Sequence, residues 1–205
     1  MCIRDSCEEV AFNSYPAAVM PDFKGLRYIT CPNQTVSDSK NHHPGIDNRG
    51  PFLAMNPFSS RCCQHNHAQG WPYYAEHLIL ATPDNGVAAA MYAACKATVK
   101  VGDGNEISLH EQTNYPFEET IRFTVNTPKA VSFPFYLRIP SWTEGATIFV
   151  NGKKVAANPE AGQYACINRE WKDNDQVEIQ LSMQLSMRTW QVNKNSVSVD
   201  YGPLT

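Results

Sequence analysis

The chain has 205 residues, 42% of them hydrophobic and 18% charged, the balance of a globular protein with room for one large domain or two small ones. With 17 Lys and Arg against 20 Asp and Glu the net charge is −3, and no basic run stands out, which excludes nucleic acid and anionic membrane surfaces as partners. The longest apolar run, GVAAAMYAAC from Gly86 to Cys95, is about half the length of a membrane span, so the chain reads as soluble.

Residues 1–6, MCIRDS, lack the apolar segment of a signal peptide and do not read as a helix start. They are taken as a non-native leader, of a kind that recurs in reading frames translated from assembled environmental DNA. Residues 7–19 read as the end of a helix, with Val10 and Phe12 apolar and Pro16 limiting its length. Glu8 and Glu9, beside Cys7, read as solvated carboxylates on its surface. Residues 20–61 are rich in breaks at Pro21, Pro32, Pro44, Pro51 and Pro57, with short extended pieces such as LRYIT. So long an irregular segment is usually a functional loop region. His42 and His43 within it read as polar loop residues.

The segment HNHAQGWPYYAEHLILA reads as a helix, broken or kinked near Gly70, Trp71 and Pro72, with a stripe of Tyr74, His77, Leu78 and Ala81 in its second half. Trp71, Tyr73 and Tyr74 serve either as packing or, through rings with a polar edge, as a sugar-facing surface. The period then changes from helix to strand, with the boundary near residues 81–86. Ile121, Phe123 and Val125 alternate with polar residues, as do Val131, Phe133, Phe135, Leu137 and Ile139, and Val177, Ile179, Leu181 and Met183. One apolar and one polar face marks antiparallel sheets over a shared core. VGDGN and EAGQ are turn sequences, and Asn151-Gly152 is a strong two-residue hairpin signal. Strands at this spacing predict a β-sandwich. The last residues, NSVSVDYGPLT, stop within a strand and its turn, so the chain is expected to be an internal fragment, cut at both ends.

The 7 cysteines form no disulfide scaffold. Cys2, Cys7, Cys31, Cys95 and Cys166 stand alone and read as small hydrophobes. Cys62-Cys63 differs, because adjacent cysteines seldom bridge each other. Metal binding, redox chemistry and inert buried thiols all stay open for the pair. Zinc takes thiolate and imidazole ligands in a tetrahedron, and His65 and His67 lie close in sequence. Residues one or two apart on a helix do not face one another, so at most two of these four could hold one ion.

Five stretches together, CEEVAFNSYPAAVMPDFKGLRY, SSRCCQHNHAQGWPYYAEHLILATPDNG, FYLRIPSW, VNGKK and DYGPL, resemble glycoside hydrolase family 127, the β-L-arabinofuranosidase family. The resemblance covers nearly the whole chain after residue 6, and the CC followed by Asn and a helix is its most specific part. It implies an α+β fragment, mainly β in this chain: residues 7–83 as the C-terminal part of an (α/α)6-barrel catalytic domain, and 84–205 as an antiparallel β-sandwich truncated at its C-terminus. It implies Cys62 as nucleophile and zinc ligand, Cys63 as zinc ligand and Tyr28 as a substrate-binding residue, with Zn2+ as cofactor. The family's remaining zinc ligands, an E-x-C motif, and its general acid lie upstream of the matching segment, and neither occurs in this chain. The Cys7-Glu8-Glu9 cluster has the wrong order to replace them.

The resemblance thus implies a fragment, inactive alone, of a zinc-dependent retaining glycoside hydrolase. Its substrate would be a plant-type oligosaccharide or glycoconjugate carrying furanosides, β-L-arabinofuranosides above others. The competing expectation is a non-catalytic carbohydrate-binding or structural β-sandwich protein of the same lineage. The compartment is not legible. Leu78 and Leu80, read as unpartnered helix residues, further predict that the isolated chain associates.

Overall fold

The computed structural model describes residues 3–26, 61–155 and 160–205. The chain divides into two compact units, one of Met1–Ser6 with Glu76–Thr205, the other of Cys7–Ala75. Most of the regular structure among the described residues is strand, with few helices.

In the larger unit the period-2 pattern becomes two main sheets. β1 (Ile79–Ala81), β2 (Val87–Ala89), β6 (Val131–Arg138) and β9 (Tyr164–Trp171) form a four-stranded sheet in the order β1-β2-β6-β9. A six-stranded sheet runs β3 (Cys95–Val101), β4 (Asn105–Thr113), β5 (Thr120–Asn126), β10 (Asp175–Leu181), β7 (Ala146–Val150) and β8 (Lys153–Lys154). Every pairing is antiparallel except β2 with β6. The expected inward residues Ile121, Phe123, Val125, Phe133, Phe135, Leu137, Val177, Ile179 and Leu181 are all buried. Phe123 of one sheet meets Phe135 of the other edge-on at 5.2 Å between ring centroids, so the two apolar faces share one core. Trp171 is fully buried against both Phe133 and Phe135, and its indole N–H donates to the Phe133 carbonyl at 2.9 Å. Each such large apolar side chain contributes roughly 1.5–3 kcal/mol through its removal from water.

The hairpin signal at residues 151–152 is used as expected. Asn151 (φ 50°) and Gly152 (φ 74°) both adopt the left-handed region, the paired requirement of the tight turn that joins β7 to β8.

A separate two-stranded sheet joins β11 (Leu185–Trp190) to β12 (Ser196–Tyr201). Register places Leu185 opposite Tyr201, Met187 opposite Val199 and Thr189 opposite Val197 on one face, and the five apolar residues among these are all exposed. The other face is polar, with Arg188 3.4 Å from the Asp200 carboxylate and its guanidinium over the Trp190 ring.

Three sequence expectations need correction. Residues 3–6 do start a helix: α1 spans Ile3–Glu9. The helix through Gly70, Trp71 and Pro72 is not broken: α3 runs Arg61–Glu76 with Pro72 inside it. The stripe beyond it is not helical, because β1 pairs Ile79, Leu80 and Ala81 with Ala89, Ala88 and Val87. Leu78 is therefore buried in the sheet unit rather than displayed on a helix.

Asp5 explains what holds residues 3–6. Its carboxylate lies 2.5 Å from the Arg138 guanidinium and accepts hydrogen bonds from the Ser141 hydroxyl at 2.6 Å and the Ser141 N–H at 3.2 Å. Arg138, near-completely buried, also donates from Nε to the Ala90 carbonyl at 2.6 Å. A buried charge is tolerated when it is paired and hydrogen-bonded in this way.

In the smaller unit, α1 continues into a π-helical turn, Val10–Ser14, and a short α2, Tyr15–Ala17. Asn13 bonds from its side chain to the Glu9 carbonyl at 2.7 Å within that widened turn. Among the described residues no helix is long and apolar enough to cross a membrane.

Candidate active-site region around the cysteine pair

Cys62 and Cys63 fall in the first turn of α3. Cys63 is half-buried. The Cys62 side chain and the whole of Tyr28 lie outside the described residues. The residues that follow the pair on α3 separate by direction. His65 and Asn66 are exposed, whereas His67 turns onto the chain segment after α1.

His67 stacks flat on Tyr15, with centroids 4.0 Å apart and planes 5° from parallel, and its Nε2 lies 3.1 Å from the Tyr15 carbonyl. Trp71, one turn further along α3, meets the Tyr15 ring edge-on at 5.3 Å, and Tyr74 continues the series at 6.0 Å from Trp71. Phe12 closes it at 5.8 Å from Tyr74. The spacing His67, Trp71, Tyr74 is that of one helix face. Of the predicted stripe of Tyr74, His77, Leu78 and Ala81 only Tyr74 lies on α3, and the face that packs is instead His67, Trp71 and Tyr74.

Gly70 makes the close approach possible. A Cβ there would sit 2.2 Å from the Tyr15 hydroxyl oxygen, so only glycine lets Tyr15 lie against α3. Of the three aromatic residues singled out in sequence, Tyr74 is buried and Trp71 is held in ring contacts, while Tyr73 faces outward. The packing reading holds for Trp71 and Tyr74.

Glu8 is the residue that sequence reasoning missed. It is fully buried, not a solvated surface carboxylate. A signal was present: Glu8 lies three positions before Ala11, which is also buried, and residues three apart share a helix face.

Among the described residues no group of three His, Cys, Asp or Glu side chains is placed to hold a metal ion. The donor chemistry of this region nevertheless suits zinc in part. Two cysteines stand adjacent in sequence in the first turn of a helix, and thiolates are among the ligands zinc takes. They supply at most half of a tetrahedral shell.

Other titratable groups of note belong to the sheet unit. Asp84 is held below the usual carboxylate range by the hydroxyl of Thr82 and then by that of Tyr136, which donates to Oδ2 at 2.5 Å. The same contact pushes the Tyr136 phenol well above its ordinary value. The Cys95 thiol is pushed up to about 12, first by burial and then by the negative charge of Glu111, 3.6 Å away. Neither cluster carries a reactive nucleophile.

Comparison with known proteins places these features. The family model described as the β-L-arabinofuranosidase GH127 catalytic domain matches residues 2–76, and that of the GH127 middle domain matches residues 86–183. Among solved structures, one described as a glycoside hydrolase is similar with a TM-score of 0.81 and 27% identity, over 98% of this chain and 33% of its own. A GH127 β-L-arabinofuranosidase from Geobacillus stearothermophilus T6 follows at 0.79 and 25% identity, over 98% of this chain and 32% of its own. A further GH127 β-arabinofuranosidase matches at 0.76 and 25%, with the same coverage of 98% and 32%. The chain therefore spans about one third of the length of the solved structures it matches. No curated protein matches the sequence.

Proposed function

The chain belongs to glycoside hydrolase family 127, and from that premise we propose that it is part of a zinc-dependent retaining glycosidase in which Cys62 is the nucleophile. Its substrate is a furanoside, a β-L-arabinofuranoside above others, on a plant-type oligosaccharide or glycoconjugate. Residues 7–83 form the closing part of an (α/α)6 barrel in this reading, and 84–205 the adjoining β-sandwich region. The carrying observation is the placement of Cys62-Cys63 in the first turn of α3 within the segment matched by the catalytic-domain model.

Cys62 and Cys63 would hold the zinc ion, together with ligands supplied from outside these residues. When bound, the ion supplies the positive charge that keeps coordinating thiols deprotonated near neutral pH. The Cys62 thiolate attacks the anomeric carbon, forming a C–S bond as the glycosidic C–O bond breaks. The departing oxygen takes a proton from a general acid, which is not among the residues assigned here. Water then attacks the same carbon, giving a proton back to the conjugate base of that acid, as the C–S bond breaks and the thiolate returns. Two inversions give net retention, as in glycosidases that use a carboxylate nucleophile. Cys63 supports the site and makes no bond to the sugar. Tyr28 contributes to the sugar-binding surface.

The stack of Tyr15 on His67 gives α3 a fixed seat within its unit, and a nucleophile on a fixed helix needs less ordering at the moment of reaction. In a full-length enzyme carrying these residues, Cys62→Ser should abolish turnover while the protein still binds zinc weakly. Cys63→Ser should lose zinc and activity together. Near-normal turnover of an aryl furanoside by Cys62→Ser, or an inverted product anomer in NMR, would remove Cys62 from its role.

A further inference from the structure

The outer face of the six-stranded sheet carries an arrangement that the cysteine chemistry does not use. Register places Gln112 of β4 opposite Arg122 of β5, Arg122 opposite Glu178 of β10, and Glu178 opposite Phe149 of β7. These four form one row across four strands, about 14 Å long at the usual strand spacing. Thr124 and Gln176 pair in the adjacent row, and a shallow trough of about 300 Å³ opens over both rows.

The chemistry of this trough is specific. Arg122 donates from Nε to Glu178 at 2.8 Å, which fixes the plane of its guanidinium and cancels the two charges locally. Among the described residues, the Arg122 Nη groups, the side-chain amides of Gln112 and Gln176 and the Thr124 hydroxyl have no protein hydrogen-bond partner. The surface therefore offers donors and acceptors, the guanidinium held in plane by Glu178, with Arg122 and Glu178 balancing each other and Lys154 of β8 opposite Phe149 at the far end. Phe149, half-buried, adds a ring beside them. An apolar peptide would bury the amides unpaired. A neutral polyol satisfies the set: vicinal hydroxyls both donate and accept, and the C–H faces of a sugar cover a ring. Strands hold such side chains more rigidly than loops do.

We infer that this trough is a binding surface for a neutral oligosaccharide, lying lengthwise along the row from Gln112 to Phe149. The inference rests on the sheet unit alone and does not depend on the role of Cys62.

Titration of the full isotope-labelled chain with linear arabino-oligosaccharides and xylo-oligosaccharides, followed by heteronuclear NMR, tests it. Neutral sugars should shift the side-chain amide signals of Gln112 and Gln176 and the Arg122 Nε–H, weakly and saturably. Gln176→Ala and Phe149→Ala should each weaken binding about tenfold, and Glu170→Ala, exposed on the other main sheet, should leave it unchanged. Gln176→Ala, at an exposed amide, keeps the test valid if Phe149→Ala fails to fold. The inference falls if neutral oligosaccharides shift none of these signals, or if trigalacturonate binds in preference to them. It also falls if Cys62→Ala abolishes binding while Gln176→Ala does not. That last outcome would place the sugar in the smaller unit and leave the proposed function standing.

Discussion

Arg138 and Asp5 meet at 2.5 Å across 133 positions of sequence, both nearly shut off from solvent. The contact ties the first helical residues to the end of β6, and Ser141 completes the carboxylate's hydrogen bonding. Removing the acid leaves a buried guanidinium without its counter-charge. Asp5→Ala should cost about 3–5 kcal/mol, read as a fall in the urea midpoint of the sheet unit. Replacing both partners with apolar residues, Asp5→Leu with Arg138→Met, should recover much of that loss. Equal stability of Asp5→Ala and the parent chain would mean the pair is not formed in solution.

Gly70 gives a prediction of sign. Glycine to alanine inside a helix ordinarily stabilises by up to about 1 kcal/mol. Here the added methyl would meet the Tyr15 hydroxyl, so Gly70→Ala should destabilise the smaller unit by about 1–3 kcal/mol. Loss of near-ultraviolet circular dichroism from the Tyr15, His67 and Trp71 cluster should accompany it. Gly70→Ala combined with Tyr15→Ala should restore the ordinary helix effect.

Much of the sheet unit was legible because its information is local. Alternation at Ile121, Phe123 and Val125, or at Val177, Ile179 and Leu181, states which face is inward without reference to any partner. Asn151-Gly152 likewise carries its own backbone requirement. The misread parts depend on distant partners. Nothing near Asp5 announces Arg138. The strand β1 has only three residues, too few for a period, and follows α3 after His77 and Leu78 alone, with no Gly or Pro to mark the change. Glu8 was misjudged by residue type, although its position repeated the buried face. A role for the cysteine pair is suggested only by family resemblance, since two adjacent thiols do not by themselves choose between metal and packing.

Cys95 should be the least reactive of the described thiols at alkaline pH. Its folded value of about 12 exceeds the ordinary thiol value of 9.0. A raised pKa contributes stability that is complete below the unfolded value and disappears as pH climbs from about 9 to about 12. At pH 9 iodoacetamide should label exposed Cys166 while sparing Cys95. Glu111→Gln should speed labelling of Cys95 by removing the neighbouring charge. Equal labelling rates in the parent chain at pH 9 would contradict the burial of this thiol.

Zinc affinity of the chain alone should be weak. The pair would provide half a tetrahedron, and among the described residues no three His, Cys, Asp or Glu side chains gather to hold an ion. Purified chain should lose its metal to EDTA within minutes, and Cys63→Ser should abolish what binding there is. Stoichiometric zinc that resists the chelator would point to ligands the chain itself supplies.

Association of the isolated chain was expected from Leu78 and Leu80 on a helix, a basis the sheet removes. The exposed apolar surface lies instead on β11 and β12, where Leu185 is 76% and Met187 79% exposed. Contiguous apolar patches of this kind drive association. Leu185→Lys with Met187→Thr should raise the monomer fraction in light scattering without changing the melting temperature of the main sheets. An unchanged oligomer distribution would shift attention to other surfaces.

Trp171 has no solvent exposure, whereas Trp71 is 42% exposed and belongs to the other unit. The two indoles therefore act as separate fluorescent reporters, blue-emitting for the sheets and red-emitting for the helical segment. With Trp142 and Trp190 replaced by Phe, one emission scan during denaturation follows both signals. Coincident transitions would mark one cooperative melt, and a red signal that moves first would show the helical segment opening while the sheets persist.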